Sequence, residues 1–175
     1  MMRRSLRKNK KGSLDDLVVI AIFLFGFAVL VLIGFKLTDE LNTKFKEDNT
    51  LTVANANVNN TMSQIRNLFP SVLDNSFLIL VVGLAGMAMM MAALVRIHPV
   101  FFVFFVMFLA IVIFLCGIFS NVYQEIADTT EFASLAAELT FINAIMSYLP
   151  IFIGTFGMLL SMIMYKLWSV QAQEF

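Results

Sequence analysis

The sequence predicts an all-α polytopic membrane protein: four transmembrane helices, with short interfacial helices in the loops between them. Three observations carry that prediction. Of 175 residues, 60% are hydrophobic and only 14% charged, where a soluble domain carries about 25% charged residues, and the mean hydropathy is +0.87. Four long stretches are almost free of charge. The charges are also unevenly placed, because Arg3, Arg4, Arg7, Lys8, Lys10 and Lys11 supply six of the twelve Lys and Arg before residue 12.

The first span is Leu17 to Phe35, 19 residues with no polar side chain, which at about 1.5 Å per residue matches a hydrocarbon core of ~30 Å. It exceeds a signal-peptide core and no small-x-small cleavage pattern follows, so it is read as a retained anchor. The segment Gly12-Ser13-Leu14-Asp15-Asp16 resembles a type IV pilin leader. However, Leu17 stands where a pilin has its acidic residue, and a pilin has one apolar helix rather than four. Ser13 as N-cap, with Asp16 three residues on, explains the same residues by helix capping.

The second and third spans are Phe77 to Val95 and Pro99 to Phe119, separated only by Arg96, Ile97 and His98, a link short enough to make them an antiparallel hairpin. The fourth span, Phe141 to Met164, is interrupted by Asn143, Ser147, Pro150 and Thr155. Pro150 should kink it or stand in its first turn. Tyr165, Lys166 and Trp168 follow as interface anchors, the residue types that settle at a membrane–water boundary.

Lys and Arg set the orientation. With four crossings, the six N-terminal cations, Arg96 and Lys166 share one side, and Lys36, Lys44, Lys46 and Arg66 face the other. Both termini are therefore expected on the inner, positive side. The basic tail, residues 1–16, would then meet anionic lipid or, without sequence specificity, nucleic acid.

Both outer loops, 36–76 and 120–140, carry helical patterning. Val58, Met62, Ile65, Phe69 and Val72 recur every three or four residues and suggest a helix lying on the interface. Leu37, Leu41 and Phe45 extend the first span. Phe132, Leu135, Ala136 and Leu139 make a shorter stripe after Thr130, a candidate N-cap with Glu131 in the first turn. Residues 49–60, rich in Asn and Thr, read as a loop.

Gly26, Gly83, Gly86 and Gly157 are the expected helix-packing positions, helped by Ala21, Ala28 and Ser161, because small side chains let helix backbones approach closely. The chain has one cysteine, Cys116, and one histidine, His98, too few for a Cys/His metal cluster or a Cys–His nucleophilic pair. Met87, Met89, Met90 and Met91 point around the helix and read as packing rather than copper ligands. No cofactor is expected.

Function follows from where ionisable residues are missing. Pumps and transporters keep such groups near the bilayer midplane, and the first three spans contain no Asp, Glu, Lys, Arg or His. In the fourth, Thr155 and Ser161 are six residues apart and off a common face. Catalysis, active transport and ion selectivity are disfavoured, leaving a non-catalytic protein that shapes or anchors a membrane.

The basic N-terminus running into Gly12-Ser13-Leu14-Asp15-Asp16-Leu17, the Arg96-Ile97-His98-Pro99 hairpin and Ser120-Asn121-Val122-Tyr123 leading into an acidic outer segment resemble the layout of small multi-span proteins in the internal membranes of tailless icosahedral viruses. The resemblance implies a minor capsid-associated virion membrane protein. Its outer loops would meet the capsid shell and its basic face the genome, in many copies and with homo-oligomers conceivable. Two other classes share these features: a membrane scaffold subunit of a pilus, secretion or respiratory assembly, and a holin-like pore-forming protein.

Overall fold

The computed structural model describes residues 15–47, 56–94 and 99–171. Of these, 95% are helical and none is in a strand, which makes the protein all-α. The elements are α1 (Asp15–Glu47), α2 (Ala56–Leu94), α3 (Pro99–Ala127), α4 (Ala133–Glu138), α5 (Thr140–Ser147) and α6 (Leu149–Gln171). Four helices are long and apolar enough to cross a membrane: Leu17–Glu47, Asn57–Met90, Phe102–Ala127 and Leu149–Lys166. The chain is an integral, multi-pass membrane protein.

α1 and α2 pack antiparallel, with Phe27 stacked on Phe77 (5.8 Å) and Phe35 on Phe69 (5.6 Å). α3 and α6 form the other close pair. Near the start of α3 and the end of α6, the Phe102 and Tyr165 rings meet at 6.0 Å. Phe25 stacks on Phe119 at 5.0 Å and joins the two pairs. The core is a string of buried apolar residues, among them Leu24, Ala28, Leu32, Val112, Cys116 and Ile153. Outward-facing Leu30, Ile79, Phe114 and Met162 remain exposed, as expected of helices whose second solvent is lipid.

Two local expectations are corrected and a third is refined. The stripe Val58 to Val72 does not form a separate interfacial helix, because α2 is continuous from Ala56 to Leu94 with Pro70 inside it. Its apolar stripe is also only partly packed, with Phe69 against Phe35. Val58, Ile65 and Val72 are exposed, while Ser63, Arg66 and Asp74 face other helices. Pairing with α1, α4 and α5 turns Ser63, Arg66 and Asp74 inward, while Asn60, Gln64 and Asn67 stay exposed. Thr130 does not cap the next helix, since α4 begins after Phe132 and has no side-chain cap. The stripe itself packs as expected, with Leu135, Ala136 and Leu139 buried. The fourth span is broken at Tyr148 into α5 and α6, and Pro150 stands in the first turn of α6, where its missing N–H costs no helical hydrogen bond.

The small residues divide. Ala21 and Ala28 are buried in the core, and Gly157 of α6 lies tight against α3, since a Cβ there would overlap the Leu109 side chain. A Cβ on Gly26, Gly83 or Gly86 meets nothing within 4 Å, so those three mediate no close helix approach among the described residues. Ser13, the Arg96–His98 link and residues 48–55 lie outside the described residues.

Gly157→Val should therefore lower the midpoint of thermal unfolding in detergent by an amount corresponding to about 1–3 kcal/mol of overpacking. Gly83→Ala, placed in open space, should leave that midpoint unchanged or slightly raised.

Candidate functional site

The polar side chains of the described helices converge at the end of the bundle that carries the 128–148 segment, called here the long-loop end. Arg66 of α2 is the hub. Its Nε donates to Asp39 Oδ1 of α1 at 2.9 Å, and Nη1 and Nη2 donate to the two carboxylate oxygens of Glu138 on α4 at 3.1 and 2.8 Å. The guanidinium also lies 5.3 Å from the Phe35 ring centroid. The planar fork allows this bidentate grip, which an ammonium cannot reproduce, so one side chain ties α1, α2 and α4 together. Lys36 makes a looser second tie, with Glu40 at 3.5 Å, Glu131 at 3.6 Å and the Phe132 ring 5.8 Å away.

Deeper in the bundle, Asp74 of α2 is buried. Its Oδ2 accepts the backbone N–H of Phe141 at 2.9 Å and its Oδ1 that of Ile142 at 2.8 Å. These are first-turn amides of α5, which carry no intrahelical partner and the positive end of the helix dipole. No side chain of α5's own N-cap, Leu139, serves them; a neighbouring helix supplies the acceptor. The opposite end of α5 is held in the same way. Ser120 Oγ of α3 donates to the Ser147 carbonyl at 2.9 Å, and Gln124 Nε2 approaches it at 3.4 Å. An eight-residue helix, too short to be stable alone in water, is thus fastened at both ends by side chains from other helices.

Two buried polar atoms among the described residues have no hydrogen-bond partner, Tyr123 Oη and Asn59 Oδ1. The Thr155 and Ser161 hydroxyls of α6 turn to their own helix, Thr155 to the Ile151 carbonyl at 2.8 Å and Ser161 to that of Gly157 at 2.9 Å. Each therefore presents a satisfied donor rather than an open one. No group of three or more His, Cys, Asp or Glu that could hold a metal ion occurs among the described residues.

The residues singled out in the sequence are scattered by comparison. Arg3, Arg4, Arg7, Lys8, Lys10 and Lys11 lie outside the described residues. Tyr165 and Lys166 are exposed near the far end of α6, and Trp168 follows on the same helix. Of the residues that hold the long-loop end together, Arg66 entered that reading only as an outer-side cation and Ser120 only within a layout motif, and Asp39, Asp74 and Glu138 were given no role. Asp74 carried one legible signal: it is a lone carboxylate three residues before an apolar run, where a charge needs a partner. Its partner is backbone, which no side-chain pattern announces.

No family model matches the chain, no curated protein matches it, and no solved structure matches it.

Two substitutions separate the hub from its unpartnered neighbour. Arg66→Lys keeps the charge and loses the fork, and should lower stability in detergent by roughly 1 kcal/mol, as for a partly exposed ion-pair network. Tyr123→Phe removes a buried hydroxyl with no partner and should be neutral or stabilising by up to ~1 kcal/mol. Both are read from unfolding midpoints.

Proposed function

We propose that the protein is a non-catalytic structural component of a membrane, whose long-loop end is a rigid platform for a partner outside the bilayer. The observation that carries this reading is the way its polar side chains are used. Arg66, Asp39, Glu138, Asp74 and Ser120 are spent on joining helices to one another, which suits a part that must hold its shape. Charges at the rim remain on the surface: Lys44 and Lys46 on α1, Glu125 on α3 and Asp128 after it are exposed. Rim charges of mixed sign favour docking to a specific polar surface over burial in lipid.

The layout resemblance supplies the setting: the internal membrane of an icosahedral virion, with the platform facing the capsid shell. The Lys and Arg asymmetry puts both termini on the genome side, where the basic tail gains affinity for lipid or nucleic acid by counterion release. A scaffold subunit of a cellular assembly would use the same platform on different neighbours.

Gentle purification from the native source, followed by mass spectrometry, distinguishes these settings. Capsid proteins and genome should accompany the protein, and it should stay with the lipid when the shell is removed. Cellular membrane subunits alone would replace the virion reading with the scaffold one. Dye leakage from vesicles carrying the protein alone would support a holin-like pore and contradict the structural reading.

A further inference from the structure

The break at Tyr148 leaves α6 as the fourth crossing helix, with α5 above it. Two independent observations place α5 in the bilayer as well. The first is helical phase. Along α5 and α6 an exposed stripe runs through Phe141, Ala144, Tyr148, Ile151, Thr155 and Met158, with Thr140 and Leu159 exposed beside it, and the same alternation of three and four continues to Tyr165. The buried positions are Ile142, Met146, Leu149, Ile153, Phe156 and Leu160, again at steps of four and three. Neither stripe changes step across the break, so the face that α6 turns to lipid is continuous with the outward face of α5.

The second observation is depth. The facing pairs Phe27–Phe77, Phe35–Phe69 and Asp39–Arg66 fix the antiparallel register of α1 and α2, and that register sets Asp74 beside Leu30 and Val31. At about 1.5 Å per residue, the N-terminus of α5 then lies ~7 Å below the end of the apolar run at Phe35. The C-terminus is deeper. Ser147 is bonded to Ser120, whose neighbour Phe119 stacks on Phe25, a level ~15 Å below Phe35 by the same rise. The helix therefore descends along α1 rather than lying across it.

We infer that α5 and α6 together form one discontinuous membrane-crossing helix, and that the outward face of α5 and of the break, Phe141, Ala144 and Tyr148, is a contact surface for phospholipid acyl chains. Continuity favours this occupant, because the same face of α6 carries the exposed apolar side chains Ile151, Met158 and Met162, the kind a crossing helix turns to lipid. The backbone at the break survives in lipid because its polar groups are met. The Tyr148 N–H reaches the Ala144 carbonyl at 3.2 Å, the Phe152 N–H reaches that of Tyr148 at 2.9 Å, and Ser120 takes the Ser147 carbonyl.

The test uses the full chain with Cys116→Ala, reconstituted alone in phosphatidylcholine nanodiscs and carrying a nitroxide at Ala144→Cys or, separately, Tyr148→Cys. Collision with oxygen, which concentrates in acyl chains, is compared with collision with a water-soluble nickel chelate. Met158→Cys serves as the lipid reference and Asp128→Cys as the aqueous one. Both sites should follow Met158, with oxygen prevailing. Chelate access like that at Asp128 would put α5 on the membrane surface and overturn the inference. Exclusion of both reagents would overturn it too, by showing a second copy of the chain on that face. Two sites are used so that failure of one variant to fold leaves the other decisive.

Discussion

A carboxylate taken out of water needs donors that are already fixed in place, and Asp74 finds them in the first-turn amides of α5. The two hydrogen bonds satisfy both sides: the buried charge gains charge-assisted donors, and the helix end gains the acceptor that its own sequence lacks. Much of the long-loop end depends on this exchange. With α5 held at its N-terminus, Ser147 is brought to Ser120 and Gln124, and α6 starts in contact with α3. Without it, a short helix with unmet amides would sit in apolar surroundings, where each unmet group is expensive.

Arg66 acts one level higher, where water can reach its partners. Its side chain is about a quarter exposed, and those of Asp39 and Glu138 more than a third, so its contribution comes from geometry more than from desolvated charge. The fork specifies which face of α2 meets α1 and where α4 docks. That explains why Val58, Ile65 and Val72 of the apolar stripe are turned outward while Phe69 still packs on Phe35: the hub commits part of the inner side of the helix to ion pairs. Hydrophobic patterning alone would have buried Ile65 and Val72; the ion pairs leave them exposed.

The sequence made the crossing helices legible because long uncharged runs have no other stable environment. Ala21, Ala28 and Leu135 were also legible, since small or apolar residues at helical spacing pack whatever their partner. Two kinds of feature were not. The break at Tyr148 depends on contacts from α2 and α3, so Pro150 announced a disturbance without its place. The inward turn of Arg66 and Asp74 depends on partners 27 to 72 residues away in sequence, which local periodicity does not encode. Gly26, Gly83 and Gly86 show the converse, small residues in a recognisable pattern that face open space among the described residues.

Hydrogen exchange at the backbone amides of Phe141 and Ile142, compared between the natural chain and Asp74→Ala in the same detergent, tests the central claim most directly. Loss of the carboxylate should speed exchange at these two amides and through α5 by a factor of a hundred or so, the equivalent of about 3 kcal/mol for charged hydrogen bonds, while the amides of α1 near Leu24 stay protected. Unchanged protection of Phe141 and Ile142 in the variant would show that packing alone holds α5, and would contradict the account.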